Sequence, residues 1–186
     1  MLETARYFAA LPVTPEVQVQ FPADGKLNTA LTVTGKPGLN VVRLPVLALS
    51  KGYLTLTGPP GTQFVLNING TFNMNTGNIS RGDGVGPFDV IYNITNPKAS
   101  VGVGRGFSGM VGILLAPYNE IHAIYNKVWD GQIIGGYNRG PIKLNYDTVV
   151  TATDPPPPAV TNTATASGHY GAKTVTATAQ ATVLIK

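Results

Sequence analysis

The sequence contains no cysteine, which excludes a disulfide framework, a thiolate nucleophile and any cysteine-ligated metal. Only 12% of its 186 residues are charged, and the nine carboxylates, from Glu3 to Asp154, never share a short motif. Acid–base catalysis therefore has little to work with, and the chain reads as non-enzymatic. His122 and His169 lack a ligand spacing between them; only His122, two residues from Glu120 on a candidate strand, has an acid close by. No stretch reaches about 18 consecutive apolar residues, so no segment qualifies as a membrane-spanning helix. The first residues lack the basic start and long apolar run of a signal peptide, as expected of a mature or trimmed chain. The 13 Lys and Arg residues are spread singly, so the net charge of +4 describes a mildly basic surface rather than a nucleic-acid groove.

What the chain has in quantity is glycine (22) and proline (15), together with threonine and asparagine. This mixture of turn formers and strand formers belongs to all-β proteins. Between residues 107 and 146, apolar runs at 112–116, 121–124, 132–134 and 142–144 are separated by turn signals such as Pro117, Asn119, Asp130-Gly131 and Gly140-Pro141. The runs are too short for helices, and their near-regular spacing suits stacked strands. A β-sandwich and a β-solenoid both satisfy that rhythm.

Upstream, residues 2–11 place Leu2, Ala5, Phe8 and Ala9 on one face of a helix that Pro12 and Pro15 terminate. The alternation V-Q-V-Q-F over 17–21 predicts a half-buried strand with Val17, Val19 and Phe21 inward. Strands are also expected over 27–34, 40–49, 53–57, 64–69, 72–75 and 88–93, with a glycine-rich loop at 77–87. That loop contains Arg81-Gly82-Asp83, which a glycine turn explains without an integrin partner. Residues 101–106 lack the following helix that a phosphate-cradling loop requires. Asn73 and Asn75 are candidates for side-chain ladders between coils.

Composition changes abruptly after residue 146. Four prolines, Pro155 to Pro158, predict an extended spacer, which divides the chain into a main domain (1–150), a linker (151–160) and a terminal segment (161–186). In that segment the alternating runs 161–166 and 174–179 predict a β-hairpin turning over 167–173. A lone hairpin is marginal, so it either folds back or adds strands to a neighbouring sheet edge. Thr163, Thr165, Thr174, Thr176, Thr178 and Val183 are the candidate self-assembly positions.

Several segments carry a resemblance. Gly112-Ile113-Leu114-Leu115-Ala116-Pro117, Asp130-Gly131-Gln132-Ile133-Ile134, the stretch from Leu54 to Thr71, and Val90-Ile91-Tyr92-Asn93-Ile94 with Ala99 resemble the choice-of-anchor A domain, a group of adhesive domains. That domain is similar to the ice-binding proteins of bacteria and fungi. The resemblance covers roughly residues 40–146 and implies an irregular β-solenoid flanked by a helix. It also implies a secreted or cell-surface adhesive role, with self-association, surface proteins or glycans as partners. A filament subunit and an ice-binding protein are the alternatives; the latter needs ranked outward threonines, and Thr55, Thr57, Thr71 and Thr151 show no regular spacing along the chain. No cofactor is expected; the nearest approach to a calcium site, Asp83 with Asp89, falls short of six to eight oxygens. Sequons begin at Asn69, Asn78 and Asn93, the first at a strand end and the second in the expected loop, and are candidate glycosylation sites in a secreted protein.

Overall fold

The computed structural model describes residues 2–103, 109–124, 129–135, 142–145, 150–151, 160–170 and 173–183. The chain divides into two compact units, Met1–Thr153 and Asp154–Lys186. The first begins with two helices, α1 (Leu2–Ala10) and α2 (Pro15–Gln18). Strands then follow in order: β1 (Lys26–Leu27), β2 (Ala30–Thr34), β3 (Gly38–Leu44), β4 (Leu47–Thr57), β5 (Thr62–Ile68), β6 (Phe72–Arg81) and β7 (Val90–Ile94). After them come β8 (Val101–Val103), β9 (Met110–Ala116), β10 (Ile121–Ile124), β11 (Trp129–Gly135), β12 (Ile142–Asn145) and β13 (Val150–Thr151).

From β4 onward the strands alternate between two sheets. Sheet A runs β1-β4-β6-β8-β10-β12 with β2 also on β4, and sheet B runs β13-β11-β9-β7-β5-β3. Every pairing in both sheets is parallel. A chain that visits one sheet, crosses to the other and returns one strand further on is a parallel β-solenoid. The sandwich alternative, built from antiparallel sheets, is excluded.

Because register is preserved, inward side chains form columns along the solenoid. Val42, Leu66, Tyr92, Leu114 and Ile133 make one column from sheet B. Leu47, Phe72, Val101, Ile121 and Ile142 make another from sheet A. The columns meet where the Phe72 and Tyr92 rings lie 5.6 Å apart, and the Tyr92 hydroxyl donates to the Val111 carbonyl at 2.9 Å. Burial holds that phenol far above its ordinary pKa, so it stays a neutral donor. Each fully buried aliphatic or aromatic side chain contributes about 1.5–3 kcal/mol. Of the isoleucines central to the apolar runs, Ile121 is fully buried and Ile133 packs against the core. Ile113 instead lies in register with Val65 and Ile91, half-buried on the opposite face of sheet B.

The outer face of sheet B is covered by α1 over β5 and β7, for a geometric reason. Three residues of α-helix rise about 4.5 Å, close to the 4.7–4.9 Å between strands, so every third helical carbonyl keeps step with the rungs. Asn93 donates to Ala5 O at 2.9 Å and Asn67 donates to Phe8 O at 2.8 Å. Arg43 donates to Ala9 O at 3.2 Å and Leu11 O at 3.1 Å, supplying the positive charge that the last turn of α1 itself lacks. Arg43, Asn67 and Asn93 are register partners, and the two asparagines also join side chain to side chain at 2.7 Å. The asparagine ladder is thus at 67 and 93. At the expected position, Asn73 has Ala48 and Gly102 as partners, so nothing stacks.

Residues 17–21 do not form the expected strand. Val17 and Phe21 are buried four residues apart, the helical spacing, whereas Val19 is 79% exposed. Thr14 followed by Pro15 at the first helical turn was the missed signal. The two glutamines are not surface ornaments either. Gln18 donates to Arg43 O at 3.0 Å and accepts from Arg43 N at 2.7 Å; Gln20 does the same with Thr34 at 2.9 and 2.8 Å. Thr14 completes the set on Val41 through its N–H at 2.8 Å and its hydroxyl at 3.0 Å. These groups satisfy the free edge of β3 at Val41 and Arg43 and that of β2 at Thr34, as another strand would.

The second unit contains β14 (Val160–Tyr170) paired antiparallel with β15 (Lys173–Val183). The expected hairpin is present, but its strands are longer than anticipated. His169 belongs to β14 opposite Thr174 rather than to a turn. Thr163 and Thr165 face Gln180 and Thr178 in register, with Thr176 and Thr174 opposite Ser167 and His169. Val183 pairs with Val160 in register.

Candidate functional site

Among the described residues the two helices pack on one sheet and not on the other. Both pack on sheet B, α1 against β5 and β7 and α2 against β3, whereas the outer face of sheet A carries neither. This face is assembled from alternate residues of β2, β4 and β6. Register places Thr32, Thr55 and Ser80 in one rank, Ala30, Tyr53 and Asn78 in the next, and Thr34 beside Thr57 in a third. The hydroxyls of Thr55 and Ser80 are hydrogen-bonded at 3.1 Å, although 25 residues separate them. Thr57 donates to Asp83 O at 3.3 Å. Thr55 and Thr57 are therefore aligned in space with Thr32 and Thr34, contrary to the irregularity expected from their spacing along the chain. The rungs differ in length, so a fixed sequence period does not reveal the ranks.

A bulge interrupts the same face. The register between β4 and β6 shifts around Ser50 and Gly52, and Lys51 there has φ 63°, the left-handed region. The Lys51 N–H is held by Thr76 Oγ1 at 2.9 Å. Two residues on, Tyr53 is 55% exposed.

The remaining polar clusters are small. His122 Nε2 and Glu120 Oε1 lie 3.1 Å apart and both are partly exposed, although β10 begins only at Ile121, one residue after Glu120. Among the described residues no group of three or more His, Asp or Glu approaches metal-site geometry. Asp89 spends its carboxylate on Gly86 N at 2.9 Å and Gln63 Nε2 at 3.2 Å, while Asp83 is exposed. The expected loop at 77–87 is strand as far as Arg81, whose guanidinium reaches Val85 O at 3.3 Å and Asp130 at 4.0 Å. A cleft of about 360 Å³ lies where α1 ends, lined by Ala9, Arg43, Leu44, Pro45, Asn67, Asn69 and Thr95.

The sequons occupy three environments. Asn69 is exposed, and Asn78 is half-exposed within β6 rather than in a loop. Asn93 is fully buried with its Nδ2 donating to Ala5 and Asn67, so the folded unit leaves no room for a glycan on that nitrogen. Residues 104–108, including much of the glycine-rich stretch, lie outside the described residues, as do the prolines at 155–158.

Comparison with curated proteins and with solved structures gave no match. Residues 1–141 match the family described as "Putative Ice-binding-like adhesive domain". The matched segment takes in both helices, the strands of sheet B from β3 to β11, and the threonine-bearing face of sheet A. On that match and on the parallel coil that carries it, the chain belongs to the ice-binding-like adhesive domain family.

Proposed function

We propose that this chain is a non-enzymatic adhesive domain that works outside the cell and meets its partner with the outer face of sheet A. The observation carrying this reading is the asymmetry of the solenoid: α1 packs on β5 and β7 of one sheet, and the other presents ranked hydroxyls, amides and a tyrosine to solvent. Family membership supports an adhesin-type or ice-binding role. The test uses beads coated with the full chain and applied to a cell surface. Thr55→Arg, which plants a bulky charge in the middle of the face, abolishes bead retention; Tyr7→Arg on the exposed side of α1 leaves it intact. Retention that survives Thr55→Arg overturns the reading.

Two alternatives have specific support. The hydroxyl ranks favour ice binding, and thermal hysteresis that disappears in Thr55→Arg would establish it. The separate two-stranded sheet of β14 and β15, marginal by itself, favours a filament subunit that lends strands to a neighbour. Deleting residues 155–186 then converts an assembling protein into a monomer by light scattering.

A further inference from the structure

The geometry points to Lys51 and Tyr53 as the centre of a binding site for an acidic polysaccharide on the outer face of sheet A. This rests on the adhesive reading above and names its ligand class. Four observations converge. Lys51 is the one non-glycine residue with positive φ among the described residues, at a bulge where glycine or asparagine fits without strain. A lysine held there, exposed, serves something other than the stability of the fold. No described carboxylate pairs with it, in contrast to Lys36, which binds Glu16 at 2.8 Å.

Tyr53, two residues away, offers an exposed ring for the C–H face of a sugar. Its rank neighbours are the small Ala30 on one side and the amide of Asn78 on the other, and the Thr32–Thr55–Ser80 rank runs beside it. A ring flanked by donors and acceptors suits a polyhydroxylated ligand. Finally, β2, β4 and β6 contain no aspartate or glutamate at all, so nothing on these strands repels an anionic chain.

The same features argue against other partners. A protein interface needs a desolvated apolar centre, and here one aromatic stands among hydroxyls and amides. Nucleic acid needs several cations along a phosphate backbone. Among the described residues β1, β2, β4 and β6 carry three scattered cations, Lys26, Lys51 and, at the margin, Arg81, which already reaches Asp130. A carboxylate or sulfate on a sugar matches one lysine beside one ring.

The experiment titrates the ¹⁵N-labelled full chain with a galacturonate oligosaccharide and, separately, with a neutral cello-oligosaccharide of equal length. The acidic oligomer is expected to shift amide resonances of residues 50–55 and 75–80, with an affinity that falls as salt is raised. Tyr53→Ala weakens it about tenfold. Lys51→Gly, which keeps the bulge conformation, weakens it about two- to fivefold and removes the salt dependence. Both side chains are exposed, so the variants retain the wild-type circular dichroism and melting temperature. Equal binding of the neutral oligomer, or undiminished binding in Lys51→Gly, overturns the assignment. If the acidic oligomer fails to bind and fails to compete with bead retention that Thr55→Arg abolishes, the ligand class is wrong while the adhesive face stands. If bead retention also ignores Thr55→Arg, both fall.

Discussion

Sheets A and B contribute equivalent apolar columns to one core, yet their outer faces have opposite fates. On sheet B, Arg43, Asn67 and Asn93 offer donors at the rung spacing, and α1 delivers carbonyls at nearly the same spacing. On sheet A, Thr32, Thr55 and Ser80 occupy a comparable rank, but the hydroxyls of Thr55 and Ser80 bond each other and Thr32 is exposed. The lesson is that a solenoid face is assigned to packing or to recognition by the donor–acceptor character of its outward columns. The inward columns hardly differ.

The sharpest test of that division removes an inward and an outward side chain from sheet B. Phe64→Ala, at a fully buried position of β5, should cost about 3–5 kcal/mol in urea unfolding. Asn93→Ala should cost about 1–3 kcal/mol, because it strips a donor from two buried acceptors. Its effect should also be local: amide exchange of residues 2–10 accelerates while that of sheet A does not. Unchanged protection in α1 would mean that apolar contact, not the asparagine column, holds the helix.

Smaller effects follow at the edges. Gln20→Ala leaves the β2 edge at Thr34 unsatisfied and should cost about 1 kcal/mol, with a rise in light scattering as that edge opens. On the bare face, Thr55→Val should move stability by no more than about 0.5 kcal/mol, while altering whatever the face binds. Smallest of all is the Glu16–Lys36 pair. The Lys36 hydrogen bond holds the Glu16 carboxyl below its ordinary pKa, so the pair stabilises the fold above pH 4.5 and the contribution is lost as pH falls through the lowered value. Being exposed, it should separate wild type from Glu16→Gln by little more than the scatter of replicate melts at pH 7, and by nothing in acid.

Much of the fold was legible. The apolar runs at 112–116, 121–124, 132–134 and 142–144 mark β9, β10, β11 and β12, because short runs bounded by Pro, Asn and Gly have few other solutions. Helix α1 was legible from Leu2, Ala5, Phe8 and Ala9, and the terminal hairpin from its strict alternation. Residues 17–21 misled because V-Q-V-Q-F satisfies period 2 as well as an i, i+4 pair. The choice was made by Gln18 and Gln20, whose partners lie in strands that local sequence cannot locate.

The candidate site was the least legible part. Nothing in the order of residues places Thr32 beside Thr55 until the rung lengths are known, and the bulge at Lys51 hides inside an ordinary strand. Asn93 shows the converse: a sequon by pattern, it is a buried link between a strand and a helix.

The glutamine clasp has a bearing on how such molecules meet end to end. Coiled sheets lined up on a common axis would ordinarily fuse, each borrowing the peptide groups of the next. Here Thr14, Gln18 and Gln20 already occupy Val41 and Arg43 of β3 and Thr34 of β2, so a second copy arriving at that pole finds those peptide groups taken and less main chain to grasp. The molecule is polar in the sense that a zipper is: one end is stopped.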